Sequence, residues 1–252
     1  MQLYLSPHLD DAVQSCGGTI ARAVREGEQA VVLTIFAGDT HGRKLAPRAA
    51  RYHAKCGLAD FWTRRWEDVE ACGLLGAGML HLDFPEILYR YDPHGRPRCS
   101  TRADLFSPLR ADDHVVVTEV TTALEQWVRR LRPTAVYGPL GLGGHVDHVA
   151  ADVAFRRAMA NLGAEAPRAL LYEDMPYAAT EDTSGTSRNR SQATTPVIQR
   201  LTEQDWTCKL RAVAAYRSQL ASIWQGADWR AALRAYAERV TPDGGLAERV
   251  YA

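Results

Sequence analysis

The chain has 252 residues, 46% of them hydrophobic, and its 30 Lys and Arg residues balance its 30 Asp and Glu residues. This length suits one large domain or two small ones. The zero formal net charge argues against a nucleic-acid binder or a membrane-surface binder that depends on bulk charge.

Cysteine usage and the start of the chain bear on the compartment. The five cysteines are odd in number and form no Cys-x-x-Cys motif, which argues against a disulfide framework or a cysteine-rich zinc site. Residues 1–5 show no basic region followed by a long apolar run, and no apolar run approaches the roughly 20 residues that span a bilayer. We therefore expect a cytoplasmic protein with reduced thiols, no signal peptide and no membrane segment.

The first 36 residues predict a β-α-β unit. Residues 3–6 form a short apolar strand candidate, and residues 13–25 show helical spacing of apolar side chains before Gly27. Residues 30–36 are a continuous apolar run rich in β-branched side chains, typical of a strand covered on both faces. Such a unit requires a parallel sheet with a right-handed crossover.

The alternation of strands and helices continues to the C-terminal part. We predict a helix at 63–75, a strand at 79–82, a helix at 115–131, a strand at 135–137, a helix at 149–159, a strand at 169–172 and a helix at 206–224. This pattern predicts an α/β three-layer sandwich with a mostly parallel sheet. Residues 90–113 and 178–199 are polar and predict long loops of the kind that form lids. We expect a single domain, 1–252, with these loops as insertions and C-terminal helices.

Residues with catalytic chemistry follow three of the predicted strands. His8, Asp10 and Asp11 follow the first strand, Asp39 and His41 follow the second, and His145, Asp147 and His148 follow the strand at 135–137 after a Gly-rich turn. Ligands of open parallel sheets bind at the carboxyl ends of the strands, so these groups are expected to converge. A zinc-type metal with an attacking water needs about three such ligands, an open position and a carboxylate base. The pattern predicts a metal-dependent hydrolase.

Each motif alone has a simpler interpretation. Asp11 could be a helix N-cap, and the His145-x-x-His148 spacing is common on protein surfaces. If residues 145–148 are helical, however, both imidazoles lie on one face. The occurrence of both motifs at strand ends favours a site over two unrelated surface features.

These residues also match a known family. The sequence resembles the PIG-L/LmbE-like zinc-dependent N-deacetylases, which carry His-Pro-Asp-Asp after the first strand and His-x-Asp-His later. The matching segments here are His8-Leu9-Asp10-Asp11, Arg64-Arg65-x-Glu67, Leu82-Asp83-Phe84-Pro85, His145-x-Asp147-His148, and Lys209 with Tyr216-x-Ser218-Gln219. One departure is Leu9 in place of proline, which should alter only loop stiffness. The resemblance implies a Rossmann-like fold and removal of an N-acetyl group from an N-acetylglucosamine-type sugar or conjugate.

The resemblance also implies a role for each site residue. His8, Asp11 and His148 would bind Zn²⁺, with Fe²⁺ or another divalent metal as alternatives. Asp10 would be the general base. His145 would stabilise the oxyanion or protonate the leaving amine, and Asp147 would orient and charge His145. A histidine held by an aspartate suits proton donation, because the carboxylate favours the imidazolium.

Candidates for substrate contact rest on weaker signals. Arg64 resembles the sugar-binding arginine of the family, although it could pair with Glu67 or Asp68 instead. Asp39 and Tyr177 are predicted to contact the substrate, with turn formation and core packing as alternatives. Trp62 and Trp66 are predicted to lie in the core.

Two other function classes compete with the deacetylase. His8, Asp10 and His148 match the 2-His-1-carboxylate triad of non-haem Fe(II) oxygenases, but helices alternate with strands throughout this chain. A non-catalytic sugar- or nucleotide-binding α/β module would leave the metal-type residues unexplained, and Gly17-Gly18 is not a G-x-G-x-x-G fingerprint. The expected partner is a small N-acetylated sugar or glycoconjugate, with no nucleic acid and no membrane, and the oligomeric state is open.

Overall fold

A computed structural model describes residues 1–40, 42–58, 60–180, 195–241 and 243–252. Within these ranges the strands form one seven-stranded sheet in the order β3-β2-β1-β4-β5-β7-β6. The strands are β1 (Gln2–Ser6), β2 (Ala30–Thr34), β3 (Gly78–His81), β4 (Ala135–Pro139), β5 (Arg168–Tyr172), β6 (Pro196–Leu201) and β7 (Leu246–Tyr251).

The first five strands are parallel, which confirms the prediction of a mostly parallel sheet. The central strand β1 pairs with β2 on one side and with β4 on the other. In this register Tyr4 lies opposite Tyr137, and their rings stack with centroids 4.4 Å apart. Strand β7 then pairs antiparallel with β5 and with β6. The chain order reverses direction at β1, which places a topological switch point between β1 and β4.

Helices cover both faces of the sheet, so the three-layer α/β/α architecture is confirmed. The helices are α1 (Asp11–Arg25), α2 (Pro47–Cys56), α3 (Trp62–Leu75), α4 (Ala111–Leu131), α5 (Val146–Leu162), α6 (Tyr177–Thr180), α7 (Glu203–Val213), α8 (Leu220–Ile223) and α9 (Trp229–Arg239). Helix α1 packs against α3 and α7, and α4 packs against α5. No helix in the described ranges is long and apolar enough to cross a membrane.

The predicted loop boundaries need correction. The loop expected at 90–113 contains a short 3₁₀ helix, Ala103–Phe106, and ends early because α4 begins at Ala111. The Asp113 carboxylate accepts a hydrogen bond from the Arg110 backbone N–H at 2.9 Å and caps the helix there. The loop expected at 178–199 overlaps α6 at one end and β6 at the other, and its residues 181–194 lie outside the described residues.

The C-terminal part also differs from the prediction. The helix expected at 206–224 is two helices, α7 and α8, because α7 ends at Val213. Helix α2 has a polar sequence with only Ala49 and His53 buried, so its apolar periodicity was too weak to detect. Helix α9 and the antiparallel pair β6–β7 were likewise not predicted.

Two tryptophans predicted for the core are exposed. Trp62 and Trp66 on α3 are 60% and 65% exposed. The prediction failed because α3 is turned so that the face carrying Arg64, Glu67 and Asp68 is buried instead. The buried face of this helix therefore combines these three charged residues with Ala71, Cys72 and Leu75.

Candidate metal centre and active site

The two catalytic motifs lie side by side at the carboxyl edge of the sheet. The loop after β1 carries His8 and Asp10, and Asp11 is the first residue of α1. The Gly-rich turn after β4 leads to His145, which caps the N-terminus of α5. Because β1 and β4 are neighbouring parallel strands, both loops emerge at the switch point, as the sequence predicted.

Asp11 lies between two imidazoles in a geometry that suits a metal ion. Its Oδ2 is 3.1 Å from His8 Nδ1 and 3.3 Å from His148 Nε2. Ligand atoms at 2.0–2.2 Å from a tetrahedral zinc lie roughly 3.3–3.6 Å from one another. All three residues are largely buried and line one cavity, so the donor set and its spacing fit a divalent metal.

Carboxylates hold the outer nitrogens of both histidines. His8 Nε2 donates to Asp147 Oδ2 at 3.0 Å, and His148 Nδ1 donates to Asp174 Oδ1 at 2.7 Å. Metal-ligating histidines usually donate their second ring N–H to a carboxylate, which selects the tautomer and orients the ring. The second ring nitrogens of His8 and His148 thus make the hydrogen bonds that are typical of metal-ligating histidines. This leaves Nδ1 of His8 and Nε2 of His148 available to an ion.

Asp147 does not orient His145 through its side chain, contrary to the sequence-based expectation. Its carboxylate accepts hydrogen bonds from His8 and from the Ile87 backbone N–H at 2.9 Å, and it pairs with Arg90. The hydrogen bond to His145 comes instead from the Asp147 backbone N–H, which donates to Nδ1 at 3.3 Å. The side chain of Asp147 is completely buried, and it orients the candidate ligand His8 through the hydrogen bond that it accepts from Nε2.

His145 is held as a neutral donor. Because its Nδ1 accepts the backbone N–H of Asp147, the ring proton resides on Nε2. Burial and then the neighbouring His8 and His148 lower the pKa of His145 well below its ordinary value. The half-buried ring lines the cavity and lies edge-on to the His8 ring, with centroids 5.1 Å apart. The expected imidazolium is therefore disfavoured, whereas a hydrogen bond from Nε2 is available.

Asp10 lies on the cavity wall beside the three candidate ligands. It adopts φ 142°, a strained conformation for a residue with a side chain and one that clusters at functional sites. Its Oδ2 accepts a hydrogen bond from Gln14 Nε2 at 2.9 Å, and Gln14 Oε1 in turn accepts from Trp224 Nε1 at 2.8 Å. Burial and then the Asp11 carboxylate raise the pKa of Asp10 well above its ordinary value, which suits a general base.

The protonation states of the ligands follow from the same charges. Burial opposes ionisation of Asp11, but His148 and His8 outweigh it and lower the pKa of Asp11. Burial also opposes the charged form of His148, but Asp11 and Asp174 outweigh it and raise its pKa to about 9. Asp11 and His148 therefore each favour the charged form of the other.

The cavity above this cluster has a volume of about 950 Å³, at the upper end of the range for small-molecule sites. Arg64 lines it and is buried in an ion pair with Glu86. Tyr177 lines it as well and meets the His148 ring edge-on at 5.6 Å. Both of these candidate substrate contacts therefore face the cavity.

The second-strand candidates do not join this cavity. Asp39 is absent from the described residues that line it, so its position gives no support to substrate contact. His41 lies outside the described residues.

Several residues that build the site were not predicted. Asp174 could have been found, because it follows β5 at the same edge of the sheet. Gln14 lies four residues after Asp10 on the same helix face, but glutamine alone is no signal. Glu86 and Arg90 come from the segment around the 3₁₀ helix Ile87–Tyr89, whose approach to the site depends on the tertiary fold.

The fold and this site define the class of protein: a Rossmann-like α/β protein with a His–Asp–His metal-type cluster at its switch point. The family model for PIG-L, GlcNAc-PI de-N-acetylase, matches residues 3–159. The chain therefore belongs to the PIG-L family, as the sequence motifs predicted.

Individual relatives agree with this family. The chain is 33% identical over 196 residues to a 2'-N-acetylparomamine deacetylase from Streptomyces fradiae, covering 76% of this chain and 62% of that protein. The chain thus matches less than two thirds of the length of this relative.

Solved structures match over almost the whole chain. A deacetylase–bog complex in the biosynthesis pathway of teicoplanin superposes with a TM-score of 0.88 at 30% identity, over 99% of this chain and 96% of that chain. The zinc-inhibited form of teicoplanin deacetylase Orf2 also gives 0.88, at 29% identity with the same coverage.

The competing Fe(II)-oxygenase interpretation is not favoured. It requires Asp10 as the carboxylate ligand, whereas Asp11 is the carboxylate that lies between His8 and His148. The non-catalytic module is not favoured either, because the matching relatives are deacetylases.

Proposed function

We propose that this protein is a zinc-dependent hydrolase that removes the acetyl group from an N-acetylated amino sugar or its conjugate. The observation that carries the proposal is the His8–Asp11–His148 cluster at the base of a large cavity, with Asp10 beside it. The named relatives supply the substrate class: one acts on N-acetylparomamine and others belong to teicoplanin biosynthesis.

His8, Asp11 and His148 would hold the ion. When bound, zinc lowers the pKa of water towards about 7 and polarises a carbonyl group. The donor set contains two imidazoles and one carboxylate, a combination found in catalytic zinc sites with an open position. Asp147 and Asp174 would maintain the histidine tautomers that this requires.

Asp10 would move the proton. Water adds to the amide carbonyl carbon as the Asp10 carboxylate takes its proton, which forms the new C–O bond. The C–N bond then breaks as Asp10 returns that proton to the nitrogen, releasing the free amine and acetic acid, which ionises to acetate. The raised pKa of Asp10 favours both taking up and holding this proton between the two steps.

His145 would stabilise the developing oxyanion. His145 lines the cavity, and because Nδ1 accepts the Asp147 backbone N–H, Nε2 carries the proton that the ring can donate. A preorganised neutral donor needs no proton transfer, and losing one such donor typically costs a factor of about 10²–10³ in rate. Arg64 and Tyr177, on the cavity wall, would contact the sugar.

The proposal is tested by primary-amine release from a panel of N-acetylglucosaminides. Zinc-loaded protein should release amine, and chelated protein should not. Asp10→Asn should keep zinc at stoichiometry and lower kcat by about 10²–10⁴-fold, the usual contribution of general acid–base catalysis.

The matched control is Asp112→Asn, which changes an exposed carboxylate on α4 and should leave kcat unaltered. Full activity of Asp10→Asn with bound zinc would overturn the assignment of the base. A protein that binds no divalent metal would overturn the function itself.

A further inference from the structure

Most of the charged side chains that line the cavity are cationic, and its carboxylates are buried. Five cationic side chains line the cavity: Arg48, Arg51, Lys55, Arg64 and Arg102. The carboxylates that line it, among the described residues, are Asp10, Asp11 and Glu86. Asp10 and Asp11 belong to the metal centre, and Glu86 pairs with Arg64.

Four cations therefore remain without a carboxylate on the cavity wall. Helix α2 carries Arg48, Arg51 and Lys55. Arg102 belongs to a later segment of the chain, where it directly precedes the 3₁₀ helix Ala103–Phe106. Positions 48, 51 and 55 are spaced three and four residues apart, so they share one helix face. With a rise of 1.5 Å per residue they form a strip of roughly 10 Å along the cavity.

Two arginines elsewhere in residues 90–113 form ion pairs, in contrast to this strip. Arg96 pairs with Asp92 at 2.7 Å, and Arg110 pairs with Asp104 at 3.1 Å. Arg51, Lys55 and Arg102 are exposed and have no carboxylate within ion-pair distance among the described residues. Like charges grouped at one mouth repel one another, and a bound anion would relieve that repulsion.

The cavity is also larger than the reacting group requires. Its volume of about 950 Å³ extends from the metal centre to Arg51, Lys55 and Arg102. Phe106 lines the same cavity as Arg102, and its ring lies edge-on to His145 with centroids 5.7 Å apart. A substrate that places its acetamide at Asp10 thus has room for a further group that reaches the cationic strip.

We propose that the strip formed by Arg48, Arg51, Lys55 and Arg102 is an anion subsite, which selects N-acetylated amino sugars that carry a carboxylate or phosphate on the group attached to the sugar. This inference rests on the proposed deacetylase function and specifies its substrate class. Arginine suits both anions because its planar guanidinium matches their oxygens. A carboxylate and a phosphate share this chemistry, and the probes below separate them.

The test uses three glycosides that share N-acetylglucosamine and a phenyl ring. One carries a para carboxylate, the second its neutral methyl ester, and the third a para phosphate. Affinity is measured by calorimetry on zinc-loaded Asp10→Asn protein, and kcat/KM is measured on the wild type. Arg51→Gln/Lys55→Gln and Arg102→Gln test the strip. The control is Arg157→Gln, an exposed arginine on α5 outside the cavity lining.

We expect an anionic glycoside to bind at least tenfold more tightly than the ester, since a hydrogen bond to a charged group is worth about that factor or more. Arg51→Gln/Lys55→Gln should reduce this preference about tenfold, high salt should weaken it, and Arg157→Gln should preserve it. The carboxylate and phosphate probes report which anion is preferred.

Equal affinity for acid and ester would overturn the anion subsite. A preference that persists in the strip variants would also overturn it, because the attraction would then come from another part of the cavity. If the methyl-ester glycoside is deacetylated as well as the anionic glycosides are, this inference is contradicted and the proposed deacetylase function remains. Selective anion binding without amine release from any probe contradicts the deacetylase and leaves the subsite standing.

Discussion

Helix α1 contributes to two buried networks of charged side chains, one that lines the cavity and one that does not. At its first turn, Asp11 lies between His8 and His148, and all three residues line the cavity. Two turns later, the backbone N–H groups of Gly18 and Thr19 meet the Glu248 carboxylate at 3.0 and 2.8 Å.

The second network is closed on itself. Glu248 Oε1 also accepts from Lys209 Nζ at 2.6 Å, and Oε2 also accepts from Thr19 Oγ1 at 2.5 Å. Each carboxylate oxygen thus has two donors, and Lys209 is fully buried. A Cβ atom on Gly18 would lie 2.3 Å from Leu201 Cδ1, so a larger residue there would require the Leu201 side chain to move.

The contrast separates buried charge that builds the fold from buried charge that lines the candidate active site. Lys209 resembles a family motif residue as much as His148 does, yet it has no surface towards the cavity. A motif residue whose hydrogen-bonding groups are all satisfied inside the protein is therefore assigned to stability. One that keeps a polar group open to the cavity is a candidate for the active site.

The largest expected effect is at the closed network. Lys209→Met leaves the Glu248 carboxylate buried without its cation, and breaking a buried pair from one side typically costs about 3–5 kcal/mol of unfolding free energy. Chemical denaturation of the zinc-free protein measures the loss. The matched control is Lys209→Met/Glu248→Met, which removes both charges and should recover much of the stability; an equally unstable double variant would contradict this account.

A smaller effect is expected at the open network. Asp174→Asn weakens the support of His148 and should lower zinc affinity about 10–100-fold, as loss of such a partner usually does. A competition titration with a chelator measures the affinity, and denaturation of the zinc-free protein should show less destabilisation than Lys209→Met. Unchanged zinc affinity would mean that His148 does not need Asp174 to bind the ion.

The smallest effect is expected at an exposed pair, which calibrates both networks. Arg217 donates to Glu70 at 2.7 Å on the surface, and this hydrogen bond lowers the pKa of Glu70. Because the folded-state pKa is depressed, the contribution is present above the unfolded value of about 4.3 and is lost as the pH falls through the lower folded value.

Glu70→Gln should therefore leave the thermal midpoint at pH 7 indistinguishable from the wild type, since exposed pairs contribute little and salt screens them. The same midpoints measured at pH 3 should also agree. A large loss at pH 7 would show that this pair belongs to a wider network.

Local patterns were sufficient for the strands and helices that position the metal centre. The apolar runs that became β1, β2, β4 and β5 are continuous because helices cover both faces of each strand. Helix α2 could not be predicted in the same way, since its buried face is formed by Ala49 and His53 rather than by large apolar residues. Strands β6 and β7 depend on pairing between segments about 50 residues apart, which no local window contains.

By itself, the sequence determined the mostly parallel α/β fold, because apolar periodicity and the alternation of strands and helices along the chain are local properties. A parallel sheet in turn places the loops after the first and fourth strands at one edge. It also predicted the candidate donor set, since ligand types follow from the residues themselves. Only the tertiary structure decided that Asp147 supports His8 rather than His145, that Lys209 closes a network with Glu248, and that the basic face of α2 borders the cavity. These outcomes depend on contacts between distant segments, whose geometry is set by packing.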